Sequence, residues 1–556
     1  MSWILSLNQP QRRSKMVSRE SGMKTKIDFF PLLIGGREID TGEYNYLVFA
    51  DEMIKDPVAA IKLQRMAGEN ENNPSLKQKI FAKYCIAHEN EIEAAIDAAF
   101  SASKEFRNWS FARRVRVMND IYELLLEKKH RLLDLMIAEG HPEKLALWEF
   151  EGMEIAYRPE CISFFKTQLR GLLGNYDSET LGWIRKADGV IAVSPPGNAS
   201  PSNSMTAGFA LLGGNTLIVK PPLRSPTATL YLWHEIFWQA LKANNGPKGT
   251  INTLVGNSDL IMRRWLASPK VNDIFFFGDS LTGLKVGSRV FEAGKKPILE
   301  LSGNDVLIVW KDGDIEMAAE SLADAFLGST QICMVPKKAL IHEDVYKKFE
   351  IVMQEKVENM KCGLPSEKDV VLTPVVKMDE FFEFLKDALD KGAELICGGK
   401  RVNYDGFESD SGTFLQPTLL RVDDWTKALT MKCVLQENFF PLIPLIKVTV
   451  DVTKTDFENT IFKSMIDFVN QNQYGLRTSV WVSSNYYAAK FIKHLDRSGL
   501  LRINSRHTGF SPFLTTHGGP GLSGGPFGEA NYVWQKTTHL QSISVTRLLP
   551  LKNKGK

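Results

Sequence analysis

From Gly189 onward, short apolar runs recur between longer helix-like stretches, at residues 190–193, 216–219, 251–255, 274–277 and 298–299. In a run such as Thr216-Leu217-Ile218-Val219 nearly every position is apolar, so it reads as a strand buried on both faces. Strands of that kind alternating with helices are the signature of a doubly wound parallel α/β sheet. A second series, at 306–309, 339–341, 394–396 and 442–446, lies between about Gly303 and Leu476, so a second α/β region is predicted. Upstream, apolar residues at helical spacing predict several amphipathic helices between Glu89 and Gly140: Ile92, Ala95, Ile96 and Ala99, then Val115, Met118, Ile121 and Leu125, then Leu132, Leu135 and Met136. Residues 31–36 read as a short strand ending in a turn. Residues 51–78, rich in Asn, Asp and Glu, read as an irregular loop. The Gly-rich, alternating stretch 171–186 predicts a hairpin projecting from the body. Residues 538–548 predict an alternating strand suited to pairing with an arm from a neighbouring subunit.

At 556 residues the chain is too long for one core, and 44% hydrophobic with 24% charged residues is a soluble globular composition. A formal net charge of +3 gives no reason to expect nucleic acid or an anionic membrane surface as partner. The six cysteines are widely spaced, with no CxxC pair and no nearby His pair, which argues against both a zinc site and a disulfide framework and predicts a reducing cytoplasm. The first 26 residues are basic and polar, unlike a signal peptide or membrane span, and read as a flexible arm.

Two short segments carry the chemistry: Leu299-Glu300-Leu301-Ser302-Gly303-Asn304 and Thr330-Gln331-Ile332-Cys333. A cysteine attacks a carbonyl carbon as the thiolate, and a nearby carboxylate can take a proton from the thiol or from water, so the pair points to acyl-thioester chemistry. Lys220 follows a buried strand, at the carboxyl end where an open α/β sheet binds its ligand. Phe277-Gly278-Asp279-Ser280-Leu281-Thr282-Gly283 reads as a strand-to-helix turn, with Asp279 as helix cap.

In that order, from about Pro31 to Leu548, these blocks resemble the aldehyde dehydrogenase superfamily. The resemblance implies two doubly wound parallel α/β domains plus a small β oligomerisation arm. The expected division is a nucleotide-binding domain at 27–170 and 189–302, an arm at 171–188 and 537–550, and a catalytic domain at 303–536. It implies Cys333 as nucleophile, Glu300 as general base and Asn198, in Ser194-Pro195-Pro196-Gly197-Asn198, as oxyanion donor. NAD or NADP would be held by Lys220, Arg224, Ser280, Gly283, Glu437 and Phe439, with no metal. Leu223 replaces the usual acidic residue and Arg224 follows it, a slight lean toward NADP.

The same comparison sets out the departures. Phe440 stands where the family has Gly, predicting a narrowed cofactor channel. Asn304 and Asp279 also differ from the usual pattern, and His517, in the closing loop with Asn504, replaces an apolar residue and reads as a solvated loop histidine. Trp148, Phe150, Phe510 and Phe513 border the family's substrate tunnel, which hints at an apolar or aromatic aldehyde, although core packing explains them equally. The expected reaction is NAD(P)-dependent oxidation of an aldehyde to its acid by a homodimer or homotetramer. Two readings stay open beside it: an acylating enzyme or acyl-thioester reductase using coenzyme A or a carrier, and a catalytically silent scaffold.

Overall fold

A computed structural model describes residues 27–76, 78–450, 456–514 and 517–546. The expected N-terminal arm and the end of the C-terminal strand, from residue 547, lie outside them. Seven strands form the first sheet: β1 (Leu32–Ile34), β2 (Arg37–Ile39), β3 (Val190–Ser194), β4 (Thr216–Val219), β5 (Ile251–Thr253), β6 (Asp273–Phe277) and β7 (Lys296–Glu300). They lie in the order β7-β6-β3-β4-β5-β1-β2, parallel from β7 to β5, with β1 and β2 as an antiparallel edge. The second sheet contains β8 (Asp305–Val309), β9 (Pro336–His342), β10 (Glu394–Cys397), β11 (Thr418–Val422), β12 (Leu442–Val448), β13 (Arg477–Trp481) and β14 (Leu500–Ile503). Its order is β10-β11-β12-β9-β8-β13-β14, parallel except at the β10 edge. Central strands are buried at every position, β4 and β8 with nearly all-apolar sequences and β9 and β13 despite carrying Lys337, Lys338 and Arg477, because helices cover both faces of each sheet.

Only four residues, 301–304, join β7 to β8. The carboxyl ends of the first sheet's parallel strands therefore meet the amino ends of the second sheet's strands, and the site lies along that seam.

The helices predicted between Glu89 and Gly140 form as Glu89–Phe106, Phe111–Glu127 and Lys129–Ala138. The buried stripe of the middle helix runs through Arg114, Val117, Met118, Ile121 and Leu125, passing Val117 rather than Val115. Residues 51–78 correct the sequence reading: helices Ala50–Lys55 and Pro57–Glu69 occupy most of what was expected to be irregular. The second has proline in its first turn and Asp56 as cap, accepting from the Ala59 amide at 2.9 Å. Met53, Ala60, Leu63 and Ala67 pack with Val48 and Ile80, so a thin apolar face outweighs the polar composition.

The projecting hairpin is Arg170–Tyr176 with Glu179–Ala187, and strand Thr538–Thr546 pairs antiparallel with Glu179–Ala187 over its whole length. The last strand thus completes its own chain's arm, as the expected arm of 171–188 with 537–550 requires, and stands at the edge of that three-stranded sheet. Its register is fixed by the short helix Val533–Lys536 just before it, whose Thr537 carbonyl accepts from the Asp188 amide at 3.2 Å. No described helix is long and apolar enough to cross a membrane.

Phe440 corrects a second expectation. Its ring is fully buried and packs edge-on against Phe381 and Phe384, with centroids 5.7 and 5.3 Å away, inside the core of the second sheet rather than in a cofactor channel. The Phe440→Ala substitution should therefore cost about 3–5 kcal/mol in denaturant unfolding, as cavity-forming changes do, while leaving nicotinamide cofactor affinity of the folded fraction unchanged.

Candidate active site

Cys333 sits in the loop entering β9, after three consecutive left-handed residues: Gly328 (φ +63°), Ser329 (φ +56°) and Thr330 (φ +61°). A β-branched residue rarely adopts that conformation, at a cost of about 1–3 kcal/mol, so the surroundings must hold it. The Ser329 hydroxyl donates to the Thr373 carbonyl at 2.7 Å and accepts from the Thr373 amide at 2.9 Å. Lys337, fully buried on β9, donates to the carbonyls of Thr330 at 2.9 Å and Ile332 at 2.7 Å. The Gln331 side chain donates to the Pro374 carbonyl at 2.8 Å and accepts from the Val376 amide at 3.1 Å. From the other side, Gly303 approaches so closely that a Cβ there would lie 2.2 Å from the Cys333 carbonyl oxygen.

Three acids and two cations surround this loop. Glu300 ends β7, only 2% exposed; one carboxyl oxygen accepts from the Gly518 amide at 2.5 Å and the other has no partner. Burial pushes its pKa well up, opposed by the Gly518 hydrogen bond and by Arg477. Glu437 accepts from the Gly303 amide at 3.1 Å, and burial raises it as well, against the pull of Lys337. The Cys333 thiol is pushed well above its ordinary value, first by burial, then by Glu300 and Glu437, with Lys337 opposing. Arg477, at the start of β13, donates to the carbonyls of His507 at 3.2 Å and Gly509 at 3.1 Å and to the Met334 sulfur at 2.9 Å. Its backbone amide donates to Asp305 at 3.0 Å. The resting site thus favours a protonated thiol and a protonated Glu300.

Asn198 leaves the carboxyl end of β3, and its side-chain amide donates to the Gln331 carbonyl at 2.9 Å, leaving its second N–H for another acceptor. The loop carrying it is pinned twice. His141 Nε2 contacts the Asn198 carbonyl at 3.0 Å and lies 3.4 Å from Glu149, and Glu149 accepts from the Ser202 amide at 2.9 Å.

A cleft of about 1270 Å³ opens beside the loop, lined by Asn198, Gln331, Phe439 and Arg224 and, across from them, by Ile61 and Arg65 of the Pro57–Glu69 helix. Leu223 and Arg224 are exposed on a turn whose Leu223 carbonyl accepts from the Tyr84 hydroxyl at 2.7 Å. The other expected cofactor residues lie outside that lining. Lys220 is buried and donates to Ser258 at 2.7 Å. The Ser280 hydroxyl donates to the Leu522 carbonyl at 2.7 Å, and Asp279 caps the helix Ser280–Glu292 by accepting from Thr282 at 2.9 Å. At Gly283 a Cβ would fall 2.0 Å from Leu301 Cδ2, so this glycine lets the helix close on β7 and the segment after it.

His517 corrects the reading of a solvated histidine: it is 3% exposed, with Nε2 2.9 Å from the Asn203 side-chain oxygen and its ring 6.0 Å from that of Phe510. Of the four tunnel candidates Phe150 is core, Phe513 packs edge-on against Phe164 at 5.4 Å, and Trp148 is partly buried against the second sheet's core. Phe510 fits against Gly152, where a Cβ would lie 2.1 Å from its ring.

Sequence reasoning missed Lys337 and Arg477. The signal for both was a cation inside an apolar strand run, Pro336-Lys337-Lys338-Ala339 and Leu476-Arg477-Thr478, where a buried charge is admitted only with partners.

Because folding holds Glu300 above its ordinary pKa, the folded protein keeps a proton that the unfolded chain releases, and this site loses stability as pH rises above the ordinary Glu range. The Glu300→Gln variant lacks that loss. Its melting temperature relative to wild type should climb as pH rises above the ordinary Glu range in calorimetry; a pH-independent difference would place the carboxyl at its ordinary value.

A profile described as the aldehyde dehydrogenase family matches residues 65–543. The mitochondrial succinate-semialdehyde dehydrogenase of Arabidopsis thaliana is 28% identical over 477 residues, covering 83% of this chain and 84% of that protein. The NADP(+) succinate-semialdehyde dehydrogenase of Escherichia coli is 30% identical over 370 residues, 64% of this chain and 72% of that protein. Among solved structures, the NAD-dependent aldehyde dehydrogenase of Sinorhizobium meliloti superposes with a TM-score of 0.77 at 20% identity, covering 95% of this chain and 97% of that one. With the family match covering residues 65–543, the five parallel strands of the first sheet, the whole second sheet and the Cys333 loop among them, the chain belongs to the aldehyde dehydrogenase family.

Proposed function

We propose that this protein oxidises an aldehyde to a carboxylic acid with NAD or NADP, using Cys333 as nucleophile, Glu300 as general base and Asn198 as oxyanion donor. The observation that carries the reading is the seam itself, which sets Glu300, at the end of β7, within electrostatic reach of Cys333, at the entrance to β9. Glu300 acts in its ionised form, the minor one at rest: it takes the Cys333 proton and passes it to bulk water, Sγ attacks the aldehyde carbon, and the oxygen that becomes negative is stabilised by the Asn198 amide and the Cys333 backbone N–H. A bound nicotinamide dinucleotide supplies the acceptor for the hydride of the thiohemiacetal carbon, leaving a thioester on Cys333. Glu300 then takes a proton from water; the hydroxide adds to the thioester carbon, the C–S bond breaks, and the acid leaves as the thiol is restored.

The chain's own residues fit such a cofactor. The cleft places the Phe439 ring and Asn198 in the same wall system as Arg224, whose guanidinium suits a ribose 2′-phosphate and supports the lean to NADP. Lys220 and Glu437, with Ser280 and Gly283 in the first turn of the helix Ser280–Glu292, would complete the cradle. Residues 27–170 and 189–302 would form the nucleotide-binding domain and 303–536 the catalytic one. Leu172, Leu173 and Tyr176 are exposed on the arm, an apolar surface that supports a homodimer or homotetramer. All six cysteines are unpaired, which supports a reducing cytoplasmic location.

Nicotinamide absorbance during turnover of a panel of aliphatic and aromatic aldehydes tests this reading. NAD(P) reduction without coenzyme A, absent in Cys333→Ala, is expected; turnover only with coenzyme A would establish the acylating reaction, and no cofactor binding at all a silent scaffold. Arg224→Gln should lower kcat/KM for NADP about tenfold with little change for NAD, the loss expected for one charged hydrogen bond.

A further inference from the structure

A cavity of about 1010 Å³ lies away from the catalytic seam, where the arm meets the start of the Phe111–Glu127 helix. Its lining holds six Lys or Arg residues, namely Arg107, Arg114, Lys166, Arg170, Arg185 and Lys186, and no Asp or Glu. His539 also lines it, and the carboxylate nearest that histidine, Asp188, is already engaged by His539 at 2.8 Å and by Lys296. Among the described residues none of the six cations forms an ion pair. Two of them spend donors on the backbone, Arg107 on the Ser103 carbonyl at 3.0 Å and Arg185 on the Gln535 carbonyl at 3.1 Å.

Arg114 is the decisive member. It occupies the buried stripe of its helix, one turn before Val117 and Met118, where an apolar side chain is the ordinary choice. It is only 5% exposed, and its Nε and Nη1 are buried without a hydrogen-bond partner. Its guanidinium lies 4.5 Å from the centroid of the Phe111 ring, with that of Arg170 5.7 Å from the same centroid. The backbone has made room for it: Gly214, at φ +99°, would carry a Cβ 2.5 Å from Nη1. An unpaired guanidinium this deeply buried is costly unless something outside the chain completes it. Burial already depresses its pKa to about 10. The first turn of the helix, Ser110, Phe111 and Ala112, lines the same cavity and adds the positive end of a helix dipole.

The geometry points to a binding site for a small anion with two or more phosphoryl groups, gripped by the Arg114 and Arg170 guanidiniums and flanked by Lys166 and Lys186. Guanidiniums match phosphoryl oxygens bidentately, and six cations exceed the charge that a single phosphate neutralises.

Inorganic pyrophosphate is the probe, titrated calorimetrically at constant ionic strength into the full-length protein. Wild type is compared with Arg114→Gln, with the exposed double variant Arg170→Gln/Lys186→Gln, which carries the test if the buried substitution unfolds the chain, and with Lys220→Ala on the cofactor side. Binding kept in Lys220→Ala but weakened tenfold or more in the arm-side variants is expected, about tenfold for each charged hydrogen bond lost. Three results would overturn the site: binding that survives Arg170→Gln/Lys186→Gln, binding lost only in Lys220→Ala, or no binding in wild type. In the last case a changed mass of the double variant by light scattering would assign the cavity to an acidic surface of a second copy. Inorganic phosphate binding as tightly as pyrophosphate would overturn the requirement for more than one phosphoryl group.

Discussion

The catalytic seam depends on one buried ammonium. Lys337 is fully buried, so its charge must be met by protein acceptors, and the carbonyls of Thr330 and Ile332 meet it. Those carbonyls point at it only because residues 328–330 take the left-handed turn, and that turn survives only because Lys337 and Thr373 hold it. Cation and strained loop therefore stabilise each other. Cys333, between the second carbonyl and the strand, inherits its position from the pair, and the bare backbone of Gly303 closes the remaining side.

The parts of this fold that sequence made legible are those where one requirement dominates. A strand covered on both faces is usually apolar along its length, so the strands at 190–193, 216–219 and 306–309 announced themselves, and the parallel sheet followed. Cys333, Glu300 and Asn198 stood out because they sit in short motifs whose order along the chain resembles one family, and the structure brings the Asn198 amide onto the Gln331 carbonyl beside Cys333. Legibility failed where two requirements competed. The helices at 50–69 carry only a thin apolar face beneath a polar exterior, and composition outweighed spacing in the reading. Phe440 looked like an obstruction because its neighbour Phe439 faces the cleft, yet adjacent residues of an extended segment point to opposite sides, and Phe440 turns into the core. His517 read as solvated because a Gly-rich loop usually is; here the loop is folded back so that Gly518 can reach Glu300. Lys337 and Arg477 were invisible as long as buried strands were scored by hydrophobicity alone.

The family match begins at residue 65, inside the Pro57–Glu69 helix, so most of the segment that walls the cleft opposite Asn198 and Phe439 precedes it. That segment is joined to the rest at more than one point: Asn45 donates to the Tyr84 hydroxyl at 3.1 Å, Tyr84 donates in turn to the Leu223 carbonyl, and the Ser366 amide reaches Asp51. The turn bearing Arg224 is thereby tied through Tyr84 to Asn45, which precedes the matched region.

The elevated pKa of the Cys333 thiol has a consequence for the life of the protein outside its catalytic cycle. Peroxide and electrophiles consume thiolates far faster than thiols, and the route from sulfenic to sulfinic acid is in most settings a one-way descent. With burial first and Glu300 and Glu437 added to it, Cys333, the proposed nucleophile, is held toward its inert thiol form, alongside five other cysteines of which Cys85, Cys161 and Cys433 are buried outright. Reactivity is confined to the moments when a loaded site shifts that balance, and between turnovers the same electrostatics that delay the attack act as the cysteine's antioxidant shield.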